Sequence, residues 1–164
     1  KPWFKWSKQR YMAEIVLGAV WAEREALGNE LHQNHCSMER FHSLLLQHHG
    51  WGPFMAYQAC VDIQFAYPEL GWDQEHWCAP GPGTLRGLKR LLGEPLTASL
   101  PKEEALGLIR RLWPIFRDKY GSLDTGRELD FSDVPNILCE VDKYLRVEKG
   151  EGRPRAKYIE GRGS

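Results

Sequence analysis

The sequence predicts an all-α fold, and three observations carry that expectation. Apolar residues recur at helical rather than alternating spacing along most of the chain. Capping residues, prolines and glycines bracket those stretches at the places where helices start and stop. Only Glu128–Phe131 offers a hint of strand. With 164 residues the chain is long enough to bury a core as one domain, expected over residues 1–157. The ending Ile159-Glu160-Gly161-Arg162-Gly163-Ser164 has the look of a protease-cleavage linker with a cloning scar, so residues 158–164 stand outside the fold.

The first helix is predicted over Trp6–Leu27, where Tyr11, Ile15, Val16, Ala19, Val20 and Ala26 keep near-helical spacing and Gly28-Asn29 supplies a stop. Glu30–Ser37 is polar and reads as a loop. Ser37 can cap the next helix, Met38–Gln47, with Arg40 where a capping box would carry Glu. Gly50-Trp51-Gly52 breaks the chain before Pro53–Tyr67, in which Phe54, Tyr57, Val61 and Phe65 fall near one side. Pro53 suits a first helical turn because no N–H is needed there. Pro68–Trp77 is turn-rich with room for a short helix. Thr84–Leu92 is helical and stops at Gly93. Pro101–Tyr120 follows, with Glu103 and Glu104 well placed against the dipole and a break or kink expected near Trp113 from Pro114. Ser132–Val147 is the last predicted helix.

Charge narrows the partners. Twenty-two basic and 22 acidic side chains cancel, so no global field draws this chain to a polyanion, and any nucleic-acid contact must be local. Four cysteines without a CxxC pair point to reduced thiols. His32 and His35 stand near Cys36 but lack the second thiolate pair of a structural zinc site, so no metal and no cofactor are predicted. No run of 18 apolar residues and no signal-peptide core is present, which leads us to expect a cytoplasmic protein with no membrane contact.

Three segments carry chemistry. In Leu44–Asp62, glycines flanking one large residue turn the backbone tightly, and the helix that follows offers unpaired N–H groups and the positive end of its dipole. Gly50, Trp51 and Gly52 thus form a cradle for one phosphate, a pattern that resembles the helix-hairpin-helix element over about residues 38–67. In Cys78–Gly93, the loop holding Gly81 and Gly83 opens onto a helix bearing Arg86, Lys89 and Arg90, which reads either as an anion site or as a stiff turn before a solvated basic helix. In Asn136–Arg146, Glu140, Asp142, Lys143 and Tyr144 gather on neighbouring turns; acid–base work and ordinary surface charge pairing are both open. The basic tail Lys149–Lys157, with Arg153 and Arg155, suits either phosphate contact or a solvated terminus.

Taken in order, HGWGPFMAYQACVDI, APGPGTLRGLKRL and LCEVDKYLRVEKGEGRPR resemble the alpha-glutamyl/putrescinyl thymine pyrophosphorylase family, over about Ser37–Lys157. That family includes amino acid:DNA transferases and the helical domain attached to hydroxymethyluracil DNA kinases, and is distantly related to helix-hairpin-helix DNA glycosylases. The resemblance implies a glycosylase-like helical fold and a role in bacterial or phage-infected cells. The reaction implied is displacement of pyrophosphate from pyrophosphorylated 5-hydroxymethyluracil in DNA by an amine, an amino acid or a polyamine. Double-stranded DNA with modified thymine, the amine donor and a hydroxymethyluracil DNA kinase are the implied partners.

Within that reading, Gly50, Trp51, Gly52, Arg153 and Arg155 would hold the DNA backbone. Gly81, Gly83, Arg86 and Arg90 would neutralise pyrophosphate. Asp62, Glu140 or Asp142 would take the amine's proton, with Lys143 and Tyr144 holding geometry. Glycosylase chemistry fits poorly. No Asp lies between Cys78 and Gly93, and Phe54 or Met55 stands where bifunctional members carry a nucleophilic Lys. KPWFKWSKQR only loosely echoes the segment that precedes the hairpin in larger members, so a non-catalytic DNA-binding subunit partnering the kinase competes with the transferase. A structural domain that docks a kinase through aromatic surface is a third reading. DNA affinity that falls steeply with salt would separate the first two from it.

Overall fold

The computed structural model describes residues 6–32, 36–121 and 128–152. The chain runs through α1 (Lys8–Tyr11), a π-helical stretch (Met12–Leu17), α2 (Gly18–Ala22), α3 (Arg24–His32), α4 (Met38–Leu45), α5 (Pro53–Ala66), two 3₁₀ turns (Pro68–Leu70 and Trp72–Glu75), α6 (Pro82–Leu92), α7 (Lys102–Tyr120) and α8 (Asp133–Glu148). The fold is all-α. Glu128 forms only an isolated bridge, so the strand hinted at over Glu128–Phe131 does not develop.

The opening segment departs most from expectation. Gly28 does not end the helix, and α3 carries on to His32. A turn at Glu23 separates α2 from α3, and the π-helical stretch lies between α1 and α2. The amide of Gly18 reaches the carbonyl of Ala13, five residues back, which is the π pattern.

α4 begins as the sequence implies, with Ser37 Oγ accepting from the Arg40 amide at 3.1 Å. The carboxylate missing from the local capping box arrives from elsewhere, because Glu75 Oε2 accepts from the Met38 amide at 2.9 Å. α5 starts at Pro53, but its buried face is rotated from the one expected. Ala56, Tyr57, Cys60, Val61 and Gln64 point inward, whereas Phe54 and Phe65 are exposed. α6 ends at Gly93, which adopts the left-handed conformation (φ 70°), and the Glu94 amide closes back onto the Lys89 carbonyl. Pro114 does not break α7, which is continuous from Lys102 to Tyr120. Pro114 lies on an exposed face, where water can satisfy the carbonyl it leaves unbonded.

The core gathers Met38, Phe41 and Leu45 of α4, the inner face of α5, Trp72, Leu88 of α6, Ile109 and Trp113 of α7, and Phe131, Val134 and Leu138 around the start of α8. Trp72 is fully buried, and its indole N–H is satisfied by the Cys36 carbonyl at 2.7 Å. α6 lies most extensively on α8, and α4 on α5. All four cysteines are free thiols.

Candidate functional site

The turn between α4 and α5 is built from its own backbone and braced from outside. Amides of Gln47, His48 and Trp51 fold back onto the carbonyls of Leu44, Leu45 and His48. Gly50 takes a positive φ of 86°, and a Cβ there would come within 2.6 Å of Val16 Cγ2. Gly52 is extended at the N-cap of α5, and Pro53 opens the helix. The amides of Phe54 and Met55 therefore stand in the first turn without a helical acceptor, at the positive end of a 14-residue helix. His42 fastens the two helices, its Nε2 donating to the Pro53 carbonyl at 3.1 Å.

The brace comes from the N-terminal helices. Trp51 Nε1 donates to the Val16 carbonyl at 2.9 Å. The hydroxyl of Tyr11 and Nε2 of His49 are 2.9 Å apart. His48 is turned inward, with Nδ1 on the Leu44 carbonyl at 3.2 Å and Nε2 3.5 Å from the Glu23 carboxylate. Trp51, expected to touch DNA, thus spends its polar atom on holding the turn. The exposed residues of the turn include Gln47, His49, Gly50, Gly52 and Phe54.

The second predicted site rearranges more. Gly81 is the N-cap of α6, with nothing within 4 Å of its would-be Cβ. Gly83, in the first turn of α6, faces α8, and a Cβ there would clash with Cys139 Sγ. Gly87, which the sequence reading passed over, is tighter still, since its Cβ would come within 2.2 Å of the Leu138 carbonyl oxygen. These two glycines, four apart, let α6 press against the backbone of α8.

That approach brings Arg86 and Arg90 onto Asp142. Arg86 Nε donates to Oδ2 at 2.8 Å and Arg90 Nε to Oδ1 at 2.9 Å. Arg90 also reaches Glu151. Asp142 has no exposed surface. Burial works against its charge, but the hydrogen bonds from Arg90 and Arg86 outweigh that and hold its carboxyl below the ordinary range. A carboxylate with both oxygens filled and a lowered proton affinity is a poor general base. Asp142, Arg86 and Arg90, expected apart as a catalytic acid and two pyrophosphate ligands, are paired with one another in this structure, with Arg86 still one-third exposed.

The remaining candidates lie apart. Glu140 and Lys143 form their i, i+3 ion pair on the open face of α8, and that hydrogen bond raises the Lys143 pKa. Tyr144 is exposed beside them, and Asp62 is exposed on α5. Arg153 and Arg155 lie outside the described residues. Two surface cavities stand out. The larger, about 500 Å³, runs along α2 beside Trp51, and the smaller, about 220 Å³, lies between Lys89 and Glu104. Neither is lined by Asp62, Glu140, Lys143 or Tyr144. A further polar cluster had no signal in local sequence. Asp73, Gln64 and Asp130 come from three separate elements, with Gln64 Nε2 donating to Asp130 Oδ2 at 2.6 Å and Asp73 Oδ1 accepting the Phe131 amide at 2.7 Å.

An all-helical domain with a braced, amide-presenting turn and no helix among the described residues long and apolar enough to cross a membrane defines the class. The chain belongs to the family described as "5-hmdU DNA kinase, helical domain", whose model matches residues 2–153. That match supports the hydroxymethyluracil-kinase branch of the resemblance and relates the chain to thymine hypermodification. Neither the curated proteins nor the solved structures give a match.

Proposed function

We propose that this chain is a DNA-holding helical module that serves the phosphorylation of 5-hydroxymethyluracil in duplex DNA. The observation that carries the reading is the α4–α5 turn, where a positive-φ glycine, an extended Gly52 and Pro53 leave the amides of Phe54 and Met55 open at a helix N-terminus. Backbone amides suit a phosphate ester and carry no base information, so the grip is expected to be indifferent to sequence. The family supplies the context in which such a grip is useful. A helix-hairpin-helix, glycosylase-like fold is the architecture this reading extends to the whole domain.

Amine transfer onto the pyrophosphorylated base is the finer activity that the resemblance implies. It asks for a free base, free cations and an amine pocket around one point. Arg86 and Arg90 both bond to Asp142, and Arg90 also to Glu151, so the groups left without such pairing across helices are Asp62, Glu140, Lys143 and Tyr144. We rank holding above transfer for that reason.

The test is fluorescence anisotropy on duplexes carrying thymine or 5-hydroxymethyluracil, titrated across salt. We expect equal binding to both. A grip made by neutral amides releases few counterions, so the salt slope should be shallow. Gly50→Ala should weaken binding by distorting the turn. Absent binding, or binding that Gly50→Ala leaves unchanged, overturns the reading. An aminated thymidine, formed from pyrophosphorylated duplex and amines and detected by mass spectrometry, replaces it with the transferase.

A further inference from the structure

The groove beside the hairpin has a chemistry that the backbone grip does not use. It runs along α2 and is lined by Leu17, Gly18, Val20, Trp21, Arg24 and Trp51. Its volume of about 500 Å³ falls within the range of small-ligand clefts. Trp21 is 70% exposed, unusual for so large an apolar ring, and Leu17 is 51% exposed on the same wall. The Arg24 guanidinium lies 4.8 Å from the Trp21 ring centroid and is held there by the Trp21 carbonyl at 3.0 Å. Leu17 ends the π-helical stretch, a local geometry often found at functional sites.

Two features say what fits. Trp51 belongs both to the turn that presents the amides and to the wall of the groove, so the turn and the groove adjoin. The wall itself offers flat apolar faces and one guanidinium. The Trp51 indole N–H is already bonded to Val16. Among the described residues, no acidic side chain lines the groove; the nearby Glu25 and Glu23 lie 3.5 Å from Arg24 and His48 and are solvent-exposed. An aromatic wall with an arginine is a stacking platform for a nucleobase, and one without base-edge partners is tolerant of base identity.

We infer that the Trp21–Trp51 groove takes an unpaired nucleobase from the strand whose backbone the hairpin holds, stacking it on Trp21 with Arg24 toward the adjoining phosphate. This inference rests on the DNA-holding reading and adds to it the state of the DNA, locally unpaired. The stack does not choose between thymine and 5-hydroxymethyluracil. It gives the opened strand a place to rest.

The test compares a fully paired duplex with the same duplex carrying one bulged 2-aminopurine. We expect the bulged duplex to bind about fivefold or more tightly, with quenching of the 2-aminopurine emission. Trp21→Ala, at an exposed position, should abolish the preference and the quenching while leaving the affinity for paired duplex unchanged. A bulged thymine and a bulged 5-hydroxymethyluracil should bind alike. Equal affinity for bulged and paired duplex, or a preference that survives Trp21→Ala, overturns the groove and leaves the backbone grip standing. Self-association that is lost in Trp21→Ala assigns the groove to a second copy of the chain instead. Failure to bind paired duplex at all removes both readings.

Discussion

Gly87 of α6 faces the main chain of Leu138 on α8 so closely that a methyl group would stand 2.2 Å from the Leu138 carbonyl oxygen. The obstacle is backbone, which cannot swing aside. Gly87→Ala should therefore cost about 3 kcal/mol, the upper end of ordinary overpacking, as read by urea denaturation. Gly83 meets a side chain, Cys139, so Cys139→Ala should recover part of the loss caused by Gly83→Ala. Gly107, inside α7 with nothing within 4 Å, is the control. Gly107→Ala should stabilise by about 0.5–1 kcal/mol.

Asp142→Asn should be among the most damaging polar substitutions. It leaves the guanidiniums of Arg86 and Arg90 facing a neutral amide, with Arg86 one-third exposed and Arg90 still paired with Glu151, so a clear loss is expected in urea denaturation. The same triad gives an acid limit. The folded-state pKa of Asp142 lies below its unfolded value, so its contribution is complete above about pH 4 and fades as pH falls through the folded value. Denaturation midpoints measured between pH 6 and pH 3 should show the fall, and Asp142→Asn should flatten it.

Asp73 acts with the opposite sign. Burial comes first, and a hydrogen bond to the Asp130 carboxyl adds to it, so its pKa is pushed up to about 6 even though the Phe131 amide pulls it down. A folded pKa above the unfolded one means a stability contribution present below about pH 4 and lost as pH rises through 6. Asp73→Asn keeps an acceptor for the Phe131 amide. It should remove the slope and raise stability at pH 8, as read by thermal melts across pH.

Gly50→Ala combines a strained φ of 86° with a clash on Val16 Cγ2. A loss of about 2 kcal/mol is expected. Adding Val16→Ala should return the steric share but not the conformational one, which a double-mutant cycle separates.

Helix existence was legible because periodicity and stops are local. Ser37, Pro53 and Gly93 perform the capping roles that their residue types suggest. Tertiary choices were not legible. The inward face of α5 excludes Phe54 and Phe65 although spacing alone would admit them, because the partner surface selects which apolar residues are covered. The basic and acidic groups of Arg86, Arg90 and Asp142 were visible as chemistry, but their meeting depends on Gly83 and Gly87 closing α6 onto α8. The spacing of those two glycines was the available signal. The Asp73–Gln64–Asp130 cluster had none, since its members are distant in sequence.

The π-helical stretch gives the N-terminal segment slack in one direction only. A single π turn amounts to one extra residue wound into an α-helix while the flanking turns keep their phase. Deleting one residue within Met12–Leu17 and before Val16 lets the turn relax to α with the residues upstream still in register, so Tyr11 can keep its place beside His49 and Trp51 its bond to the Val16 carbonyl. A deletion in the regular turns of α1 has no bulge to draw on and rotates the residues before it by about 100°.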